Sequence, residues 1–553
     1  MPDLDTIWAN TRAAKKAEEN TRRERPLVRL FDSEWALQHV IGDEYRVELS
    51  WVSNDTGPAR IEIPATSPAA QWIHDYEGRL DRGEGRGVFL TVDHCGARWS
   101  GIMDKYSLEQ REDGDNALVV DFMHDYEALK WRQMWSNPWL PAAFQLPRAF
   151  VLAGPVTWVL KTALFLQIFR EHNPLVTWPD DPFDLSYEGP WFNTLDQSQW
   201  HTVVKPTSFA EAMESGVVWG VVISRFATWH DAAHTMLEDA ELSVRCDRYL
   251  PGDPPPWTGA NLRYGTLVVD IVDKSGVYVG TSAGGDVLSG LVRTVVEFAD
   301  DFIDSTLELV ADADTPQDYF LPNNKYTDPV KPYVVFQEGE TSPIQSSAFI
   351  NSPAKGVQVT VGGHSMPGVN EAISATIQAA FDIVGSIVQI GSLGGTVDTL
   401  LQPLYEDTIL AWHSVKSAQR AQNQGWSQTL YEYFQEGSDR AYTLAALMVL
   451  RAGFWATKTQ ISWKVSVADG LPFMVGDRGV GHFWLDDRVG LRIKGSTKIE
   501  MDRCRKIDLA WDDENPAEWR ITIGDDRIFQ DPAQRAWGKI ETLIAGLRDL
   551  GVW

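Results

Sequence analysis

The chain has 553 residues, 44% of them apolar and 23% charged, which fits a soluble globular protein too long for one hydrophobic core. Its formal net charge is −28, with 77 acidic and 49 basic residues spread along the chain, and this disfavours nucleic-acid binding through clustered Lys and Arg. No run of about 20 apolar residues marks a membrane span, and the start Met1-Pro2-Asp3-Leu4-Asp5 lacks the apolar stretch of a secretion signal.

Residues 3–24, rich in Ala, Lys, Arg and Glu, predict a polar helical arm within an N-terminal segment 1–26 closed by Pro26. Period-two alternation then begins. Tyr45–Trp51, Arg60–Ile63, Val88–Val92, Arg98–Met103, Tyr106–Glu109 and Leu118–Phe122 read as half-buried strands, with a hairpin turn at Glu112-Asp113-Gly114-Asp115. They predict a first antiparallel β module over 27–140, a barrel or a sandwich. A mixed α/β region follows over 141–340, with a buried helix at Val156–Arg170, strand texture at Leu267–Val272 and a helix from about Val287 to Phe302. Residues 341–460 combine an apolar Gly-rich stretch with helices such as Arg440–Arg451. Alternation returns in a second β module over 461–530, at Ser462–Val465, Gly490–Ile493, Lys506–Leu509 and Trp519–Ile523. Residues 531–553 predict a C-terminal amphipathic helix with Asp531 as N-cap and Pro532 at the first helical position. The fold class expected is α+β, β-rich and multidomain.

Three cysteines, Cys95, Cys246 and Cys504, lie far apart and form no CxxC pair, so neither a disulfide framework nor a cysteine zinc site is expected, and synthesis in a reducing cytoplasm fits. Twenty-four tryptophans, many beside Pro or Gly, suit subunit interfaces and core packing alike.

The sharpest catalytic word is Gly280-Thr281-Ser282-Ala283-Gly284, a GxSxG ahead of a predicted helix. It is similar to the serine motif of patatin-like lipases, for which Asp469 would complete a dyad and Gly83-Glu84-Gly85-Arg86-Gly87 would supply the oxyanion loop. That loop belongs a few tens of residues before the serine and here lies almost two hundred away. The frame is also β-rich rather than doubly wound, so a Gly/Ser turn entering a helix accounts for the word. His230 and His234 stand at i and i+4 with Glu238 one turn on, a spacing that can hold zinc, but Asp231 replaces the glutamate base of HExxH. The acidic pairs Asp180-Asp181 and Asp300-Asp301 lack calcium-loop spacing. No catalytic residue, metal or cofactor is expected.

Segment 372–397 carries one charge, Asp382, in 26 residues, and is broken by Gly385, Gly391, Gly394 and Gly395. It reads either as a buried helical hairpin or as a mobile apolar element able to plug a channel, hold another protein or touch a membrane on release. Ile383, Val384, Ile387, Val388, Ile390 and Leu393 are its candidate lumen or gate residues.

Distinctive strings run through nearly the whole chain. They include Gly96-Ala97-Arg98-Trp99-Ser100-Gly101, His124-Asp125-Tyr126-Glu127-Ala128-Leu129-Lys130, Ser136-Asn137-Pro138-Trp139-Leu140-Pro141, Pro179-Asp180-Asp181-Pro182 and Val272-Asp273-Lys274-Ser275-Gly276. Further on come Gly362–Glu371, Pro403-Leu404-Tyr405-Glu406-Asp407, Gly481-His482-Phe483 and Ile523-Gly524-Asp525. In these words the chain resembles the large minor tail protein of siphophages that infect actinobacteria. The resemblance implies a structural tail-tip or baseplate hub, a homotrimer in which each subunit supplies two tail-tube-like antiparallel β-barrels to a pseudo-sixfold ring. The partners it implies are the distal tail protein, the tape measure protein and other minor tail proteins, with DNA passing through the lumen during ejection. A tail-associated hydrolase using Ser282 and a receptor-binding tip protein are the alternatives.

Overall fold

The computed structural model describes residues 4–110, 114–140, 145–172, 196–214, 219–274, 334–339, 344–352, 356–362, 412–426, 431–434, 457, 460–468, 473–478, 480–492 and 500–524. The chain divides into two compact units. The first comprises Met1–Ser282, Asp312–Phe349 and Ser462–Asp525, the second Ala283–Ala311, Ile350–Ile461 and Asp526–Trp553.

The first unit opens with helix α1 (Leu4–Arg23) and then a run of strands: β1 (Leu27–Phe31), β2 (Leu37–Ile41), β3 (Arg46–Val52) and β4 (Pro58–Pro64). Two short helices, α2 (Pro68–His74) and α3 (Tyr76–Asp81), lead into β5 (Phe89–His94), β6 (Ala97–Gln110) and β7 (Asn116–His124). Helix α4 (Glu127–Lys130), strand β8 (Phe150–Pro155), helix α5 (Val156–Glu171) and strand β9 (Thr202–Val204) follow. Then come α6 (Phe209–Glu214), β10 (Trp219–Ser224), α7 (Trp229–Asp239), β11 (Leu242–Arg248) and β12 (Leu267–Asp273). The later described strands are β13 (Val335–Gln337), β14 (Ile344–Ser352), β15 (Gly356–Gly362), β16 (Trp412–Lys416) and β17 (Tyr431–Phe434). Beyond them lie β18 (Gln460–Ala468), β19 (Arg488–Arg492), β20 (Glu500–Asp512) and β21 (Glu518–Ile523), with helix α8 (Ala418–Gln424) between β16 and β17.

The expected pair of barrels is not there. Strands β1–β7 and β18–β21, joined by β13 and β14 from the middle of the chain, instead form one open sheet of 13 strands, in the order β14-β18-β21-β20-β3-β4-β7-β6-β5-β1-β2, with β19 beside β20 and β13 beside β19. The reason lies in β3 and β20. They pair antiparallel over seven residues, from Lys506 opposite Val52 to Asp512 opposite Arg46. Each strand thereby spends on the other the edge that it would need to close a barrel within its own module. No sheet among the described residues closes on itself, and the fold is mixed α/β.

The alternating patterns explain the layering. Val47, Leu49 and Trp51 of β3 face one way and are buried, as are Ile507, Leu509 and Trp511 of β20 and Trp519, Ile521 and Ile523 of β21. They share one core with Val28, Leu30, Leu90, Val92, Trp99 and Val120 from the N-terminal strands. At the seam Trp51 lies 5.1 Å from Trp484 and 5.6 Å from Trp519, and Trp484 meets Trp519 edge-on at 5.6 Å. A second core gathers α5, α7 and the sheet β11-β12-β9, with β8 and β10 paired alongside. In α5 apolar residues fill all sides and bury Val159, Leu160, Ala163, Leu164 and Ile168, which makes it a core helix.

In the second unit β16, β15 and β17 form a three-stranded sheet. Arg420 of α8 is buried there and donates to the Gly356 carbonyl at 2.9 Å and to Thr457 Oγ1 at 3.1 Å.

An independent barrel over 27–140 would fold as a fragment. With the apolar face of β3 no longer covered by Trp484 and Trp519, the fragment 27–140 is expected to remain unfolded by circular dichroism, and Trp519→Ala in the whole chain to cost about 3–5 kcal/mol in urea denaturation.

Candidate functional site

The densest polar arrangement in the first unit is a buried joint where the large sheet meets the α/β layer. Its centre is Asp125, directly after β7. Arg248, the last residue of β11, donates to Asp125 Oδ1 at 2.5 Å and Oδ2 at 2.9 Å, and Ser100 Oγ adds a third bond at 2.5 Å. The Arg248 guanidinium also lies 4.4 Å above the Trp35 ring and donates to the Gly265 carbonyl. Burial would push the Asp125 carboxyl up, but the Arg248 charge and the bonds from Arg248 and Ser100 outweigh it and hold the group below its usual range.

Around this pair the same device recurs. Arg98 of β6 bridges Asp93 at 2.6 Å, Asp253 at 2.5 Å and the Arg248 carbonyl at 3.0 Å. Asn54, held at φ 50° beyond β3, donates to the Leu242 carbonyl at 2.7 Å and accepts from the Val244 amide at 2.9 Å, so its amide continues the edge of β11. The loop from Phe473 to Asp487 is the third participant. Its Asp477 pairs with Arg245, its Arg478 with Asp247, and its Asp487 with Lys274. Its fully buried Asp486 accepts from Ser53 and Arg503 through one oxygen and from Ser243 through the other.

Two glycines make the close approach possible. Gly96 sits at φ 77° in the tight β5–β6 turn, and a Cβ there would fall 2.4 Å from the Asp477 carbonyl oxygen. A Cβ on Gly481 would fall 2.2 Å from the Gly476 amide nitrogen. Beside them His482 Nδ1 accepts from the Met474 amide at 2.9 Å. The strings 96–101, 124–130, 272–274, 481–483 and 523–524 thus supply much of this joint, with Gly524 N donating to the Arg503 carbonyl at 3.0 Å.

The zinc-like pair falls on α7, capped by Thr228 Oγ1 on the Asp231 amide. The rings of His230 and His234 lie 5.0 Å apart, and His230 Nδ1 is bonded to the Tyr126 hydroxyl at 2.9 Å. Both oxygens of Glu238, the nearest third ligand, accept from Arg505, at 2.9 and 3.1 Å. His230 and Glu238 therefore tie α7 to Tyr126 and β20, while His234 is exposed beside the His230 ring, and no cluster of three His, Cys, Asp or Glu able to hold a metal occurs among the described residues. In the glycine loop 83–87, Ser33 Oγ accepts from the Gly87 amide and Glu84 pairs with Arg82, both bonds internal to the scaffold. Ser282, Asp469 and the gate candidates Ile383, Val384, Ile387, Val388, Ile390 and Leu393 lie outside the described residues. Among the described residues no helix is long and apolar enough to cross a membrane.

A joint of paired charges, turns and tryptophans marks a scaffold. The model of the Siphovirus ReqiPepy6 Gp37-like protein family matches residues 27–525, and the chain belongs to this family. Minor tail protein Gp28 of Mycobacterium phage L5 is 30% identical over 599 aligned residues, covering 100% of this chain and 98% of its own. Minor tail protein Gp28 of Mycobacterium phage D29 is also 30% identical, over 95% of this chain and 94% of its own. A solved tail protein from Neisseria meningitidis MC58 covers 92% of this chain and 99% of its own at 11% identity and a TM-score of 0.39, a likeness too distant to argue from.

Removing one partner from the central pair leaves a buried charge, so Arg248→Met is expected to cost about 3–5 kcal/mol in urea denaturation. Arg263→Met, which breaks the exposed pair with Glu34, should cost less than about 1 kcal/mol. The joint region also sets an acid limit. His94, stacked on Trp519 at 5.5 Å, is pushed down to about 4 by burial. The unfolded chain takes up that proton near pH 6.5 and the folded chain only near 4, so this contribution is intact above 6.5 and fades as pH falls toward 4. Between pH 7 and 5 the His94→Gln variant should lose about 2 kcal/mol less stability than the parent.

Proposed function

We propose that this chain is a structural protein of a siphophage virion, the hub at the tail tip. The observation that carries the reading is the end-to-end match. Residues 27–525 fit one tail-protein family, and relatives named minor tail proteins align with nearly their whole length. The buried joint supports a load-bearing role, since its charged groups are spent on one another. In this reading the subunits form a ring, a trimer by the resemblance, that meets the distal tail protein above, receives the end of the tape measure and closes the tube until DNA leaves. The pseudo-sixfold match through paired barrels is given up, because the strands that were to form them make one open sheet. The ring would have to match a sixfold tube through other surfaces. The acidic excess would keep an opened lumen from holding DNA, and segment 372–397 is the proposed closure.

Light scattering on the purified chain should give about three times the 62.0 kDa subunit mass, and intact tails should show a threefold ring at the tip. A stable monomer together with tails lacking that ring would sink the hub. Deleting 372–397 should yield particles that leak or fail to deliver DNA, and particles that retain and deliver it normally would remove the closure role.

A further inference from the structure

The helix α1 stands apart from the body that carries it. Its base is anchored, since Arg25 pairs with Glu44 at 2.8 Å and the Thr21 carbonyl meets Cys95 Sγ at 3.8 Å. From Leu4 to Asn20, by contrast, every described side chain is exposed. Twenty residues of helix reach about 30 Å. An isolated helix of that length is marginal in water and is ordinarily held by burying an apolar face. Such a face exists at the free end, where Leu4, Ile7 and Trp8 share one side and are 80%, 46% and 65% exposed. Immediately beyond it come Arg12, Lys15 and Lys16, three cations in five residues with no carboxylate among them, on a chain of net charge −28.

A complementary surface lies at the base of the same helix. A groove of about 730 Å³ runs between residues 22–26, 42–45 and 511–517. Asp43, Asp512, Asp513 and Glu514 line it, and Trp511, Tyr45, Pro516 and Ala517 give it apolar wall. The cations on its other wall are Arg22, Arg23 and Arg25, of which Arg23 pairs with Glu19 at 2.6 Å and Arg25 with Glu44. Glu44 itself has a fully buried side chain. One oxygen accepts from Arg25 and from Trp511 Nε1 at 2.8 Å, while the other is buried with no partner among the described residues. A buried carboxylate oxygen without a donor is costly, and it adds uncompensated negative charge behind the groove wall.

We propose that α1 is an exchange arm: its Leu4-Ile7-Trp8 tip and the Arg12, Lys15 and Lys16 cluster seat in the acidic groove at the base of α1 in a second copy of this chain. Tip-to-base contact is heterologous, so repeating it closes a ring when the rotation allows. The inference rests on the ring reading above and specifies what holds the ring.

The experiment compares the full chain with Trp8→Asp, with Asp513→Lys/Glu514→Lys, and with that pair combined with Lys15→Glu/Lys16→Glu, by light scattering over a dilution series. All the altered residues are exposed, and thermal unfolding confirms that each variant is folded. The full chain should be oligomeric. Trp8→Asp and the groove charge reversal should each raise the subunit dissociation constant about 100-fold, and the double reversal should restore it. Oligomers of unchanged stability in every variant would overturn the arm and leave the ring reading standing. A full chain that is monomeric throughout would overturn the arm as the contact that holds the ring, and the ring reading falls with it if intact tails lack the threefold ring. Loss of assembly in Trp8→Asp alone, with the charge reversals silent, would overturn the groove as the seat.

Discussion

The first unit depends on the ladder between β3 and β20. Seven residue pairs join Arg46–Val52 to Lys506–Asp512, and all other terminal strands are ordered outward from that seam. The contact is about as non-local as a 553-residue chain permits, so its closure entropy is large and has to be met by what packs on it. Trp51, Trp484 and Trp519 meet there within 5.6 Å of one another. Three aromatic side chains bury a large apolar area at one point, which is the kind of local gain that offsets a long closure. A consequence is that β3 stays an unpaired edge until the last tenth of the chain exists. Its alternate positions Arg46, Glu48 and Ser50 are polar, which protects a waiting edge against pairing with a neighbour.

The buried joint poses a different energetic problem. Arg248 with Asp125, and Arg503 with Asp486, are pairs whose side chains are less than 10% exposed. Desolvating such ions costs several kcal/mol each, and the Coulombic return seldom exceeds the cost by much. Their value lies in geometry. An apolar interface between the large sheet and the α/β layer would tolerate sliding, whereas Arg248 satisfies Asp125, Gly265 and the Trp35 face in one arrangement only. Asn54 acts likewise, since its two bonds to Leu242 and Val244 fit a single register of β11. These contacts hold the two layers in one alignment.

Local periodicity carried much of this fold into view. The alternation at 45–51 emerges as β3, that at 267–272 as β12, and the apolar run 156–170 as the core helix α5. Partner choice was not legible, because a half-buried strand looks the same whether its neighbour is ten or four hundred and fifty residues away. That is why two separate modules were expected where one sheet exists. The joint was half legible. Its glycines and tryptophans stand in the distinctive strings, but Asn54, Arg248, Asp253 and Asp486 looked like ordinary surface polar residues. A usable signal was present in one case, since Arg245, Asp247 and Arg248 crowd the end of a largely buried strand, Leu242–Arg248, and charges in such a strand call for partners. His230 and His234 show the converse, a spacing able to hold zinc in which His230 is bonded to the Tyr126 hydroxyl and His234 is exposed.

The charge balance gains meaning from the same pairs. Arg98, Arg132, Lys161, Arg248, Arg488 and Arg503 all point inward, with side chains no more than 11% exposed, each matched by a carboxylate. Internal pairing removes equal numbers of both signs, so the excess of 28 negative charges is carried by a surface with fewer cations than the composition suggests. On such a surface like copies repel over a Debye length of about 8 Å at physiological salt. Assembly then needs contacts that cancel the repulsion where subunits meet. Arg12, Lys15 and Lys16 are exposed on α1 and, among the described residues, stand outside these internal pairs.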